Sequence, residues 1–344
     1  MDLDAARVAM LHQDPHPAHR GFSEAVGADL VDYHRLSTGP LEGTVGEDLL
    51  NGIAYPDYDV YLVEGSRPLY AALVRRFTRG GKLIYLCADH GLYQMGNADF
   101  EGSSVLKSLV GKFGTPAVRA AGRRGIDGVV AVSEFAAEFT RPVVGPGTPI
   151  EVAHPFVQPE TYEELGDVDP DLESNVAVTV ARPWRYKGVD MLVDVWPRVR
   201  EEFPDAELHV VGGGHPESYA ETPGVRVRGY VEDLADAFAP ASLFVQPSRM
   251  DTFPVSTLEA MRAGLPPLVT RTTGTRSEAR EIDSSLVVET NQYALSRGVR
   301  EYFGRDPEKR RELADRARTR GSQFDPESRT AAFREAFRAV LKEL

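Results

Sequence analysis

Short apolar runs recur along this chain, each followed by a longer stretch with helical character. The first series is Val8-Ala9-Met10-Leu11, Val60-Tyr61-Leu62-Val63, Leu83 to Cys87, Gly128 to Val132 and Ile150-Glu151-Val152-Ala153. A second comprises Ala177 to Ala181, Glu207 to Val211, Val225-Arg226-Val227, Leu243 to Gln246 and Pro267 to Thr270. Strands alternating with helices predict parallel α/β layering, here in two successive domains. The polar, acidic stretch Gln158 to Ser174 contains Pro159 and Pro170 and reads as the linker. In the segment 326–344, Pro326-Glu327-Ser328 precedes apolar Ala332, Phe333, Ala336, Phe337, Val340 and Leu341, which predicts an amphipathic helix with a proline in its first turn. The expected boundaries are therefore 1–157, 158–325 and 326–344.

Composition is consistent with that plan. At 344 residues and 42% hydrophobic, the chain has material for two cores. The start, Met1-Asp2-Leu3-Asp4, is acidic and unlike a secretory signal, and no apolar run approaches the roughly 18 residues of a membrane span. A soluble, cytoplasmic protein is expected. The net charge of −13 opposes general nucleic-acid binding. Of 39 basic residues 33 are arginine, and an acidic, lysine-poor chain fits a salt-rich cytoplasm where self-repulsion is screened. The single Cys87 excludes an internal disulfide and is expected to fill core space. His12, His16 and His19 lack ligand spacing, so no metal is expected.

Candidate chemistry gathers after the strands of the second series, where open α/β sheets bind ligands. Arg182-Pro183-Trp184-Arg185-Tyr186-Lys187-Gly188 follows the first of these strands. Gly212-Gly213-Gly214 follows the second and admits close backbone approach. After the strand ending at Gln246 comes a block in which Asp251 and Glu259 stand eight positions apart, with a helix expected to open near Thr252 to Ser256 and to end at Gly264. A nucleotide sugar offers a diphosphate to cations and diols to carboxylates. Arg182 is suited to a bidentate contact and Lys187 to a point charge on the departing diphosphate. Helix N–H groups around Phe253, Pro254, Val255 and Ser256 would cap phosphate. Glu259 is placed to accept the ribose hydroxyls and Asp251 those of the transferred sugar. None of these roles needs a metal or a further cofactor. Gly212 to Gly214 lack the G-x-G-x-x-G spacing of a dinucleotide dehydrogenase.

These residues resemble the signature of the GT4 family of retaining glycosyltransferases. The matching features are Arg182 with Lys187-Gly188, then Pro247-Ser248, Asp251, Glu259-Ala260-Met261 and Gly264-Leu265-Pro266, with support from Gly212 to Gly214 and Gly229-Tyr230-Val231. The match runs from about Gly128 to Glu281. It implies a GT-B architecture of two facing Rossmann-like domains, with the final helix crossing back to the first, and a nucleotide-diphosphate sugar donor handled with retention. It also implies that His90 lies near the transferred sugar and that Ser133, in Val132-Ser133-Glu134, lies at a helix start near the cleft. The chain departs from the family by carrying Asp251 where glutamate is usual and by lacking a glycine-rich loop after the first strand. An epimerase of the same architecture, or a degenerate nucleotide- or glycan-binding module, are the competing expectations. Finally, no acidic residue occurs from Gly102 to Ile126, where Lys107, Lys112, Arg119, Arg123 and Arg124 lie among apolar residues. Such a segment suits an anionic membrane surface or the acceptor side of the site, with a glycan, lipid-linked or small-molecule acceptor.

Overall fold

The computed structural model describes residues 1–13, 17–33, 45–90 and 120–344. Two compact units emerge, one of Met1–Pro155 with Arg329–Leu344 and the other of Phe156–Ser328.

In the first unit, the described strands are β1 (Val8–His12), β2 (Asp29–Asp32), β3 (Val60–Glu64), β4 (Lys82–Cys87), β5 (Gly128–Ala131) and β6 (Ile150–Val152). They pair in parallel in the order β2-β1-β3-β4-β5-β6. Four of the five predicted runs are almost wholly buried, as parallel strands covered on both faces must be. The run at 150–153 is only half-buried, because it forms the sheet's edge. The edge strand β2 has no apolar run to betray it: of its four residues only Val31 is buried. Cys87 is a buried free thiol, as expected of a core residue.

The helix Pro326–Lys342 buries Phe333, Ala336, Phe337, Val340 and Leu341, the stripe seen in the sequence. It completes the first unit. Phe333 stacks on Phe22 with ring centroids 4.1 Å apart. Val340 packs so tightly on β5 that a Cβ at Gly128 would lie 2.2 Å from its Cγ1. The amino group of Met1 donates to the Leu341 carbonyl at 2.9 Å.

The second unit contains β7 (Val176–Val180), β8 (Glu207–Val211), β9 (Val225–Gly229), β10 (Leu243–Gln246), β11 (Pro267–Thr270) and β12 (Val287–Val288). Their order, β12-β11-β10-β7-β8-β9, is the doubly wound arrangement in which the direction of winding reverses between β7 and β10. Connections of opposite sense leave a crevice there, at the carboxyl ends of those two strands.

The expected linker proves to be part of this unit. Pro159–Gly166 is a helix that buries Leu165, and Val168 joins the same hydrophobic cluster with Val178, Phe238 and Phe244. Two arginines from the helix Pro307–Gly321 secure the stretch by taking its carbonyls. Arg310 donates to Ser174 O at 2.8 Å, and Arg318 donates to Gly166 O and Val168 O, both at 2.8 Å. Those contacts join residues more than 130 positions apart, so local composition could not announce them.

Candidate functional site

Two loops meet at the winding reversal. The first leaves β7 at Val180 and carries exposed Arg182, whose guanidinium lies over the Trp184 ring at 4.9 Å. Arg185–Lys187 form a single tight turn that Gly188 closes in the left-handed region, with φ 72°. A Cβ at Gly188 would fall 2.0 Å from the Pro247 carbonyl oxygen, so only glycine lets this loop lie directly on the second one. Backbone bonds complete the seam: the Arg249 N–H donates to Tyr186 O at 2.8 Å.

Side chains stitch the same seam. Lys187 Nζ donates to Asp251 Oδ2 at 2.7 Å, and only 8% of the Asp251 side chain is exposed. Ser248 Oγ approaches the same oxygen at 3.4 Å and accepts from Gln246 Nε2 at 2.8 Å, while Gln246 Oε1 accepts from Ser256 Oγ at 3.3 Å. Arg249 forms a bidentate pair with Asp190 through Nη1–Oδ1 at 2.6 Å and Nη2–Oδ2 at 2.7 Å. Burial alone would raise the Asp190 carboxyl, but the Arg249 guanidinium outweighs it and holds the group below its ordinary value. Asp251 is fixed by its backbone as well, with its N–H on Thr272 O at 3.0 Å and its carbonyl accepting from Gly274 N at 2.8 Å.

Sequence reasoning named Lys187 and Asp251 for different parts of a ligand. The structure brings them together as an ion pair. Gln246, Arg249 and Asp190 were given no role, and Ser248 was quoted only as part of the motif, although three of the four belong to that block or border it. Arg249 and Asp190 are 59 positions apart, and no spacing links them.

The helix Val255–Arg262 begins within the expected interval and ends at Gly264, which has φ 84°. Pro254 occupies the position before its first turn, and no side chain caps it. The N–H groups of Val255 and Ser256 therefore have no partner within the helix and are available to an anion. Phe253 and Pro254 are buried, and Phe253 packs against Phe324 with centroids 6.1 Å apart, so their side chains support the turn. Glu259, one turn in, is half-buried, and its carboxylate has no ion-pair or hydrogen-bond partner among the described residues. Burial without a compensating donor pushes it up to about 7.

Across the sheet, Gly212 follows β8 with φ 133°, and a Cβ there would meet Ala181 O at 2.0 Å. Gly213 and Gly214 are exposed, and an added Cβ at Gly213 would touch nothing nearer than Tyr230 at 3.9 Å. Arg182, Lys187, Asp251, Glu259, the helix start and the glycine loop thus share the carboxyl edge of one sheet.

The remaining candidates lie in the first unit. His90 is half-buried just beyond β4. Ser133 is fully buried, and its hydroxyl accepts from Ala136 N at 3.0 Å as the cap of the helix Glu134–Thr140. Its expected place at a helix start is thereby accounted for by capping. Arg123 and Arg124 are exposed on a helical turn over residues 120–125. Lys107, Lys112 and Arg119 lie outside the described residues, as does His16.

Comparisons with known proteins bear on the fold and on the second unit. Residues 174–303 match the model of the glycosyl transferases group 1. Over 116 residues the chain is 34% identical to mannosylfructose-phosphate synthase from Agrobacterium fabrum, a match spanning 28% of this chain and 26% of that relative. The chain thus spans about a quarter of that relative's length. Sucrose-phosphate synthase from Thermosynechococcus elongatus superposes with a TM-score of 0.75 over 98% of this chain and 100% of its own, at 17% identity. HepE from Anabaena, solved in complex with UDP-glucose, superposes at 0.67 over 97% and 100%, at 15% identity. The chain accordingly has the GT-B fold, and its second unit belongs to the group 1 glycosyltransferases.

Proposed function

We propose that this protein is a retaining glycosyltransferase that uses a nucleotide-diphosphate sugar and needs no metal. The observation that carries the reading is the meeting of the Lys187–Asp251 pair, an uncapped helix start and the unpartnered Glu259 at one winding reversal.

Each part has a task. A diphosphate entering beside Val255 and Ser256 competes with Asp251 for Lys187 and leaves the aspartate able to accept hydroxyls of the donor sugar. Arg182 adds a second cation from the loop's exposed side. The ribose diol supplies the donors that Glu259 lacks, and binding then favours its ionised form. In the transfer step the bond from the anomeric carbon to the phosphate oxygen breaks as the acceptor oxygen bonds to that carbon on the same face. The acceptor's proton passes to the departing phosphate oxygen, and the growing negative charge is met by Lys187, Arg182 and the helix N–H groups. No protein nucleophile is required.

The complex of HepE with UDP-glucose makes a uridine diphosphate sugar the first donor to test. A small sugar phosphate is the first acceptor to test, after the relatives' names. Glycan and lipid-linked acceptors follow, with the exposed Arg123 and Arg124 as the site of contact with an anionic membrane surface on its cytoplasmic face.

Thermal unfolding in molar KCl with UDP, GDP, ADP, CMP and their sugar conjugates tests the donor site. A ligand at a hundredfold over its Kd should add about 2.7 kcal/mol of stability. One base is expected to shift the transition in the parent and not in Lys187→Ala or Glu259→Ala. Absence of any shift in folded protein would favour a module that binds no nucleotide.

A further inference from the structure

The loop that carries Arg182 and Lys187 has a second side. There, Trp184, Arg185, Val189, Asp190, His215 and Tyr219 wall a cavity of about 230 Å³. None of Lys187, Asp251, Glu259 or the helix start lines it. It is thus distinct from the site described above, although it shares a loop with it.

Its polar groups are ready for a partner. His215 is 8% exposed, and its Nε2 lies 2.8 Å from Ala181 O, a carbonyl that can only accept. Nε2 therefore bears the hydrogen, and in the neutral ring Nδ1 is an acceptor. Nδ1 is buried and has no hydrogen-bond partner among the described residues. Asp190 accepts from Arg249 through both oxygens and is also bonded by the backbone N–H groups of Met191 and Asp190, so it borders the cavity as an engaged anion. Trp184 is 46% exposed, and the Tyr219 ring stands 6.1 Å from that of His215, so flat aromatic surface borders the acceptors.

We propose that this cavity binds a single neutral sugar ring. An acceptor at His215 and a cation at Arg185 call for a ligand that both donates and accepts, which hydroxyls do. The negative faces of the aromatic rings suit the slightly positive C–H face of a pyranose or furanose. The volume lies below the roughly 300–1,000 Å³ of pockets for drug-sized ligands, which fits one ring and no more.

Occupancy has a consequence for the neighbouring site. A sugar held by His215 and Arg185 braces the segment from Trp184 to Asp190, which contains Lys187. Arg249 extends that brace to the strand of chain ending at Asp251, since it also donates to Arg185 O at 2.7 Å. Sugar and nucleotide therefore strengthen each other's binding by the same factor. This coupling rests on the donor-site reading; the sugar pocket itself does not.

The chain has two tryptophans, and Trp196 is fully buried, so changes in fluorescence report on Trp184. The full chain would be titrated with glucose, mannose, fructose and N-acetylglucosamine, with uridine and inorganic phosphate as comparators. At least one sugar is expected to give a saturable change, unaltered in Glu259→Ala and weakened at least tenfold in Tyr219→Ala. His215→Gln provides a second variant at the opposite wall and is expected to weaken binding similarly. With UDP present, the sugar's affinity should rise severalfold. No saturation by any sugar up to its solubility would overturn the proposal, as would loss of binding in Glu259→Ala or displacement of the sugar by UDP. Saturation by uridine alone, dependent on Tyr219, would also overturn it by making the cavity a heterocycle site. Equal sugar affinity with and without UDP would overturn the coupling. Sugar binding in a protein that takes no nucleotide would uphold the pocket and reject the donor site instead.

Discussion

Asp251 and Glu259 belong to one motif but occupy opposite electrostatic environments. Asp251 sits in a loop whose backbone and side chain are both engaged, 2.7 Å from Lys187. Glu259 lies on a helix, half-buried and without a donor, with its carboxyl pushed up to about 7 by burial. The first carboxylate is satisfied by the protein. The second is left for a ligand to satisfy. Chemically similar residues eight positions apart thus differ in whether the fold itself supplies their partner.

The largest effect should come from breaking the pair. Lys187→Met leaves a buried carboxylate uncompensated and is expected to cost about 3 kcal/mol in urea unfolding. The double variant Lys187→Met with Asp251→Asn should recover most of that loss, and a double variant as unstable as the single would show that the pair matters little.

Glu259→Ala addresses the other side. It should weaken nucleotide binding by about 2 kcal/mol, roughly thirtyfold, through lost hydrogen bonds to a charged group. Isothermal titration would check this, and the fold's stability should hold. A variant that binds as tightly as the parent would remove Glu259 from the site.

Somewhat smaller is the effect of pH. If the ribose donates to the ionised carboxylate, as proposed, nucleotide affinity should rise about tenfold between pH 6 and pH 8 as a group near 7 ionises. Glu259→Gln should remove that part of the profile. The sign for the unliganded protein is reversed. A carboxyl raised in the fold contributes stability that is full below its unfolded value near 4.5 and is lost as pH rises through about 7. Glu259→Gln should therefore gain on the parent as pH increases, and a constant difference in Tm across that range would contradict the shift.

The mildest change is Asp251→Glu. It adds one methylene beside Lys187, and stability should fall by about 1 kcal/mol, the low end of the cost of an extra methylene at a packed position. A greater loss would mean that the loop cannot take the longer side chain.

The contrast between the carboxylates was only half visible in the sequence. Residue types and order placed Arg182, Lys187, Asp251 and Glu259 after strands that formed where the apolar runs predicted. Strand β2 escaped notice because an exposed edge needs no apolar run, and β12 because it has only two residues. The stretch 158–174 looked like a linker since its helix buries little of its own, and its anchors, Arg310 and Arg318, lie far along the chain. Likewise, the pairing of Lys187 with Asp251 spans 64 positions, and the cavity behind Trp184 joins two separate segments. Such features arise from packing, on which composition and spacing have little hold.

The helix Pro326–Lys342 makes the order of synthesis differ from the order of completion. Residues 1–155 leave the ribosome first, yet Phe22 awaits Phe333 and the face of Gly128 awaits Val340. Throughout translation of the second unit, the first must persist with part of its core uncovered. A nascent chain halted near residue 328 would therefore hold a finished younger domain and an unfinished elder one, exposed to chaperones and proteases for as long as the pause lasts.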